Sequence, residues 1–229
     1  MPQSLSPGEG WAVLHLFCRA RPGADGQAVT AAVKGAEGDA HQVVPFAVLG
    51  HKADFGFLAL GPDLWRLRAL QTDLQGAGVE VVWSYVSLTE VSEYAKGLPM
   101  EMLEPRLRPR LPPEGMTAFC FYPMSKRRAP APGDNWYLLP YEEREAHMRG
   151  HGKAGRGFRG RVVQLITGST GIDDHEWGVT LFAVHPDDLK DVVYTLRFDE
   201  ASARYAEFGP FVTGMVAPVE QVLASVGLA

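Results

Sequence analysis

Two side chains with redox or metal chemistry open to them stand 29 positions apart: the phenol of Tyr122 and the imidazole of His151. Tyr122 lies in the apolar run Phe119-Cys120-Phe121-Tyr122-Pro123-Met124, which alternates too poorly for a simple two-faced strand. The ordinary reading is the edge of a core strand; a phenol beside an oxidised cofactor could instead hand on a hydrogen atom. His151 follows a segment whose first turn is acidic (Glu142, Glu143, Glu145) and precedes Gly152, a plausible helix stop. An imidazole at such a point is held rigidly and can bind a metal, although a lone His is more often a polar surface residue. His147 and His151 also form a His-x-x-x-His pair, but Met148 stands where a zinc hydrolase needs glutamate. The spacing therefore argues poorly for zinc.

Other motifs narrow the chemistry. Gly168-Ser169-Thr170-Gly171 looks like a phosphate loop, yet it lacks the Gly-Lys-Ser/Thr ending and precedes a strand rather than a helix, which argues against nucleotides. Lys126, Arg127 and Arg128, then Lys153, Arg156, Arg159 and Arg161, form a local basic cluster that is either a solvated face or an anion site. The net charge of −5 argues against a general nucleic-acid binder, which needs positive surface to neutralise phosphates. Cys18 and Cys120 sit in apolar runs and suggest neither a disulfide framework nor a zinc site. The longest apolar stretches fall well short of the roughly 20 residues that span a bilayer. Met1–Gly10 lacks the basic start and apolar run of a secretory signal, so a cytoplasmic location is expected.

The elements that must position these groups are α+β in pattern. Strands are expected at 11–19, 42–49, 54–60 and 79–87, with helices at 27–35 and 62–75; the second helix carries Leu64, Leu67, Leu70 and Leu74, with Pro62 and Asp63 in its first turn. Residues 97–116, crowded with Pro, Arg and Glu, read as a connection that sustains no long element. Beyond it, strands at 117–124, 161–167 and 176–184 and helices at 140–150 and 186–196 are expected. Asp54-Phe55-Gly56 before Pro62-Asp63 echoes Glu176-Trp177-Gly178 before Pro186-Asp187. Each half thus has the logic of an antiparallel α+β unit. The expected class is two ferredoxin-like domains, residues 1–110 and 111–229, with antiparallel sheets forming a dimeric α+β barrel.

A wider set of motifs is similar to a known family. Phe121-Tyr122-Pro123-Met124-Ser125-Lys126-Arg127-Arg128, Asn135-Trp136-Tyr137, His151-Gly152, Thr167-Gly168-Ser169-Thr170-Gly171, Glu176-Trp177-Gly178-Val179-Thr180-Leu181-Phe182, Arg197–Tyr205 and Glu207-Phe208-Gly209-Pro210-Phe211 together resemble the chlorite dismutase superfamily, in its coproheme decarboxylase branch. The resemblance is specific across most of the second half and architectural in the first.

That resemblance implies a homopentamer whose C-terminal domain holds an iron porphyrin. It implies a reaction in which hydrogen peroxide converts two propionates of Fe-coproporphyrin III (coproheme) to vinyls, leaving haem b, with a transient ferrochelatase contact and no nucleic acid or membrane span. By motif position, His151 is the iron ligand and Tyr122 the tyrosine that becomes a radical. Met124, Lys126, Arg106 and Ser202 are expected at the substrate's propionates, where charge-assisted or hydroxyl hydrogen bonds hold carboxylates. Gln164, 13 positions after His151, stands where chlorite-degrading relatives carry arginine. A neutral amide suits a propionate or water rather than an oxychlorine anion. No His occurs between His51 and His147 to deprotonate peroxide, which leaves water, a carboxylate of the Glu101–Glu104 segment, or slow activation as in relatives without that histidine. The alternative from another class is a non-catalytic haem-binding or haem-transfer module; a chlorite dismutase is the weaker alternative.

Overall fold

The computed structural model describes residues 3–95 and 97–228; the first two residues of the Met1–Gly10 segment lie outside that range. The first half runs β1 (Ala12–Ala20), α1 (Gly26–Ala36), β2 (Gln42–Val48), β3 (Phe55–Gly61), α2 (Leu64–Gly76), β4 (Val79–Thr89). Asp25 and Asp63 start the two helices by accepting from backbone amides, at 2.9 and 3.0 Å for Asp25 and 3.0 Å for Asp63. Asp63 is therefore a cap, and with Pro62 it precedes α2 instead of forming its first turn. The second half runs β5 (Ala118–Lys126), α4 (Tyr141–Arg156), β6 (Val162–Gly168), β7 (Trp177–Ala183) and α5 (Pro186–Leu196). Beyond Leu196, where the sequence pattern assigns no element, come α6 (Glu200–Ala203), β8 (Ala206–Phe208), β9 (Val212–Val216) and α7 (Val219–Ser225).

Two expectations need correction. The connection at 97–116 contains α3 (Met100–Leu107), two turns long, with Pro105 near its C-terminal end. Pro105 removes one possible backbone bond, and a helix this short survives because Leu107 is buried and its carbonyl accepts from Thr89 Oγ1 at 2.7 Å. The helix expected to stop before His151 continues through Gly152 and Gly155 to Arg156. Each Gly costs about 1 kcal/mol relative to Ala. Acidic residues in the first turn and Lys153 and Arg156 in the last complement the helix dipole and offset part of that cost. His151 is thus inside a helix, not after one.

The strand pairings are all antiparallel and join both halves in one sheet. The order is β7-β6-β4-β1-β3-β2-β9-β5-β8, and an additional β7–β5 pairing closes eight of the strands into a ring. In the first half the order is β4-β1-β3-β2, and onward round the ring the second half runs β9-β5-β7-β6, so first, second, third and fourth strands of the ring occupy equivalent places. Phe17, Phe46, Phe119, Phe121, Phe182 and Tyr85 from both halves fill the inside of the ring. Outside it, α1, α2 and α7 residues cover the first half, while Leu189, Val192 and Leu196 of α5 cover part of the second. The poor alternation of β5 now has a cause. Phe119 and Phe121 face the inner core, Ala118, Cys120 and Tyr122 an outer one, so both faces are apolar.

Candidate active site

The register of β5, β7 and β6 sets the floor of the site. Tyr122 lies opposite Val179, which lies opposite Ile166; one row along, Cys120, Leu181 and Gln164 align; on the other side Met124 aligns with Trp177 and Gly168. Because strand side chains alternate between faces, Tyr122, Met124, Gln164 and Ile166 share the outer face. Tyr122 is buried, with the Phe211 ring stacked on it at 4.4 Å and the edge of Phe208 at 5.6 Å. Burial pushes its phenol pKa up. Ile166 is 47% exposed, so the helices leave an apolar strip of this floor uncovered.

Helix α4 forms one wall. His151, Ala154 and Phe158 follow i, i+3, i+7 spacing, so they share one face of the helix and its end. Ala154 and Phe158 pack in the same apolar cluster as Tyr122. The His151 Nδ1 lies 3.0 Å from Asp199 Oδ2 and 3.3 Å from Ser202 Oγ. Asp199 is itself held in place, because its other carboxylate oxygen accepts from the Ser202 amide at 3.2 Å and caps α6. A carboxylate acceptor at Nδ1 keeps the N–H there and leaves Nε2 with its lone pair free to bind a metal. That is the arrangement that orients and strengthens imidazole ligands. His151 is 27% exposed and Asp199 only 9%, so the buried carboxylate fixes a more open imidazole.

Lys126, at the end of β5, turns into the protein. Its Nζ donates to the Ala201 carbonyl at 2.8 Å and lies 4.5 Å over the Trp136 ring. Burial lowers its pKa to about 8, against the raising effect of Asp199 and Glu176. Glu176, also buried, accepts from the Lys126 amide at 2.8 Å and from the Arg128 guanidinium. Lys126, Ser202, Asp199 and His151 therefore converge around α6, with Met124 and Tyr122 one and two alternations back along β5. Arg106 does not join them: it is exposed on α3 and has no hydrogen bond or ion pair with the other six candidates among the described residues. Glu104, on the same helix, is bound to Arg108 at 2.7 Å. His147 does not act with His151; its Nδ1 lies 3.5 Å from Glu200 Oε2, and its ring packs against Tyr205.

Sequence reasoning missed Asp199, although it sits in an Asp-x-x-Ser capping pattern that could have drawn notice. It also missed Tyr94 and Arg144, for which no local signal exists. Among the described residues, the Tyr94 hydroxyl and the Arg144 Nε are buried polar atoms without a hydrogen-bond partner. Tyr94 packs with Met148 against Trp136, Ala201 and Tyr205, a cluster whose Trp136 ring lies under the Lys126 ammonium. Two open depressions flank this cluster. One of about 420 Å³ is lined by Lys126, Arg128 and Glu176 among others, and one of about 390 Å³ by His147, Glu200 and Tyr205 among others. A helix-borne imidazole with a free Nε2, an apolar floor and orphaned donors fit an iron porphyrin carrying carboxylates.

The chlorite dismutase family model matches residues 23–217. The chain belongs to the chlorite dismutase family. Within this family it is 44% identical over 189 residues to a coproheme decarboxylase of Thermus thermophilus, covering 80% of this chain and 74% of that protein. A haem-binding candidate from Natronomonas pharaonis is 42% identical over 247 residues, covering 93% of this chain; the chain spans only 40% of that longer relative. Among solved structures, a haem-binding protein of Thermus thermophilus superposes with a TM-score of 0.85 at 38% identity, over 99% of this chain and 98% of that one. A mutant chlorite dismutase of Candidatus Nitrospira defluvii reaches 0.76 at 19% identity over 96% and 97%, a likeness of fold alone. Among the described residues no helix is long and apolar enough to cross a membrane.

Proposed function

We propose that this chain removes the carboxyl groups of two propionates of Fe-coproporphyrin III with hydrogen peroxide, yielding haem b. Each propionate, with one peroxide and one proton, would leave a vinyl group, carbon dioxide and two waters. The observation that carries the reading is the His151 Nδ1–Asp199 hydrogen bond at 3.0 Å, which prepares Nε2 as a metal ligand on the helix face that packs over Tyr122's cluster. When bound, the porphyrin supplies iron for peroxide chemistry and four carboxylates for recognition.

The protein's part follows from its own groups. His151 binds the iron through Nε2, and Asp199 holds the ring. Tyr122, dry and fixed between aromatic rings, gives up a hydrogen atom and hands oxidation to the substrate as a tyrosyl radical. Lys126, Met124, Gln164, Ser202 and Arg106 are proposed around the propionates. Lys126 bonds to α6 and Ser202 lies on it, so they link propionate recognition to His151. Arg106 would have to approach from an exposed position. Tyr94 and Arg144 add donors that a carboxylate satisfies. The two halves, 1–110 and 111–229, are read as ferredoxin-like units completing an α+β barrel, and five copies as the assembly. A passing contact with a ferrochelatase would deliver coproheme.

Peroxide titration of the coproheme-loaded protein, with mass spectrometry of the porphyrin, tests the reading. Two successive losses of a carboxyl group are expected, and recovery of unaltered coproheme overturns it. The names of the relatives also favour a second reading, a haem-binding module without catalysis. Tyr122→Phe separates the two: it should keep coproheme binding and lose vinyl formation. Sustained oxygen release on adding chlorite would overturn the argument from Gln164.

A further inference from the structure

The rings around Tyr122 come from a short segment that does not belong to the same strand. Met124 pairs with Phe208 on β8, and Phe121 pairs with Val212 on β9, so residues 209–211 form a loop lying against Tyr122 and Pro123. The loop is fastened closely. The Gly209 amide donates to the Pro123 carbonyl at 2.8 Å. A Cβ at Gly209 would come within 2.7 Å of Pro123 Cγ and 2.8 Å of His175 Nε2, so only glycine permits this approach. The other end is held by the N-terminal half: the Leu49 amide donates to the Thr213 carbonyl at 2.9 Å, and the Lys52 ammonium donates to the Phe211 carbonyl. Phe211 then stacks on Tyr122 with 25° between ring planes, while Phe208 stands edge-on at 70°.

We propose that Phe211 is the positioning residue of Tyr122 and Lys52 the strut that holds Phe211, so that the first half of the chain governs the orientation and dryness of a phenol in the second. This rests on Tyr122 being the oxidised residue, and it adds what keeps that residue in one pose. Two faces of a phenol cannot both be covered by its own strand, whose neighbours Cys120 and Met124 lie along the strand and not over the ring. A stacked ring supplies the missing cover and limits rotation about the Cβ–Cγ bond. Phe211 touches neither of the depressions beside Lys126 and His147, so its role runs through Tyr122.

The test places 2,3,5-trifluorotyrosine at position 122, whose phenol ionises at milder pH than tyrosine's, and follows its titration by absorbance in the protein without porphyrin. Phe211→Leu should let the phenol ionise about tenfold more readily, a midpoint about one unit lower. Phe211→Trp should restore the original midpoint, and Lys52→Met should shift it in the same direction as Phe211→Leu but by less. An unmoved midpoint in a folded Phe211→Leu protein overturns the role of Phe211, and an unmoved midpoint in Lys52→Met overturns the strut. On the coproheme-loaded protein, Phe211→Leu should slow vinyl formation about tenfold at unchanged porphyrin affinity, as expected for a misplaced reacting group. If the midpoint moves while vinyl formation keeps its full rate, the positioning stands and the assignment of Tyr122 as the oxidised residue falls.

Discussion

The two outer faces of the closed sheet are built by the same order of strands and helices, and they end differently. In the first half, α1 buries Val29, Ala32, Val33 and Ala36, and α2 buries Leu67, Leu70 and Leu74, leaving that side sealed. Its counterpart α4 buries no residue at all, and its inward face carries His147, Met148, His151 and Ala154. The first helix layer completes a core; the second leaves one unfinished, with an apolar floor under the helix that carries His151. An incomplete core is a binding site when the wall also brings polar groups that something else must satisfy. Among the described residues, the Tyr94 hydroxyl and the Arg144 Nε beside this wall lack a hydrogen-bond partner.

This contrast can be broken from either side. Leu70→Ala on the sealed face should destabilise the chain by about 2–5 kcal/mol, the usual result of a core cavity, whereas His151→Ala should change unliganded stability little and alter the absorption spectrum of the ferric complex. Thermal unfolding and spectra of both variants check this, and an unchanged spectrum would remove His151 as ligand. Asp199→Ala should weaken iron–porphyrin binding by about 10–100-fold, the common cost of losing the partner of a ligating imidazole; porphyrin titration measures it.

A third prediction concerns the core shared by the halves. His15 of β1 is fully buried, bonded through Nε2 to Thr180 Oγ1 of β7 at 2.8 Å, and its Nδ1 has no partner among the described residues. Burial lowers its pKa from 6.5 to about 3. Between those values the unfolded chain takes up a proton that the folded chain refuses, so this group makes stability fall as pH drops from 6.5 towards 3, by about 1.4 kcal/mol per pH unit. Above 6.5 it has no effect. Denaturant unfolding at pH 7, 6 and 5 should show the slope, and His15→Phe should flatten it. The smallest effect expected is at the sealed face: Asp25→Ala removes the cap of α1 and should cost about 1 kcal/mol, read as a shift in the urea midpoint.

Much of this architecture was legible locally. The strands at 42–49 and 54–60 and the helix at 186–196 stand within a residue or two of their expected limits, because hydrophobic period and flanking Asp, Pro and Gly act over a few residues. The two misjudged helices fail for one reason. Pro105 and Gly152 are local breakers, and packing of Leu107 and of α4 against α5 and α6 overrides them. Tyr122 and His151 were visible as unusual residues, and their motif context pointed to porphyrin chemistry.

By itself the amino-acid sequence determined which chemistry-bearing residues exist, which local segments form strands and helices, and where their apolar faces lie. Only the closed sheet decided what those residues meet. His151 finds Asp199 48 positions away, Lys126 finds Ala201 75 away, and Lys52 finds Phe211 159 away. Hydrophobic period and capping carry no information over such separations. The partners are chosen when strands from both halves close into one ring, because closure brings α6 beside α4 and the 209–211 loop onto Tyr122.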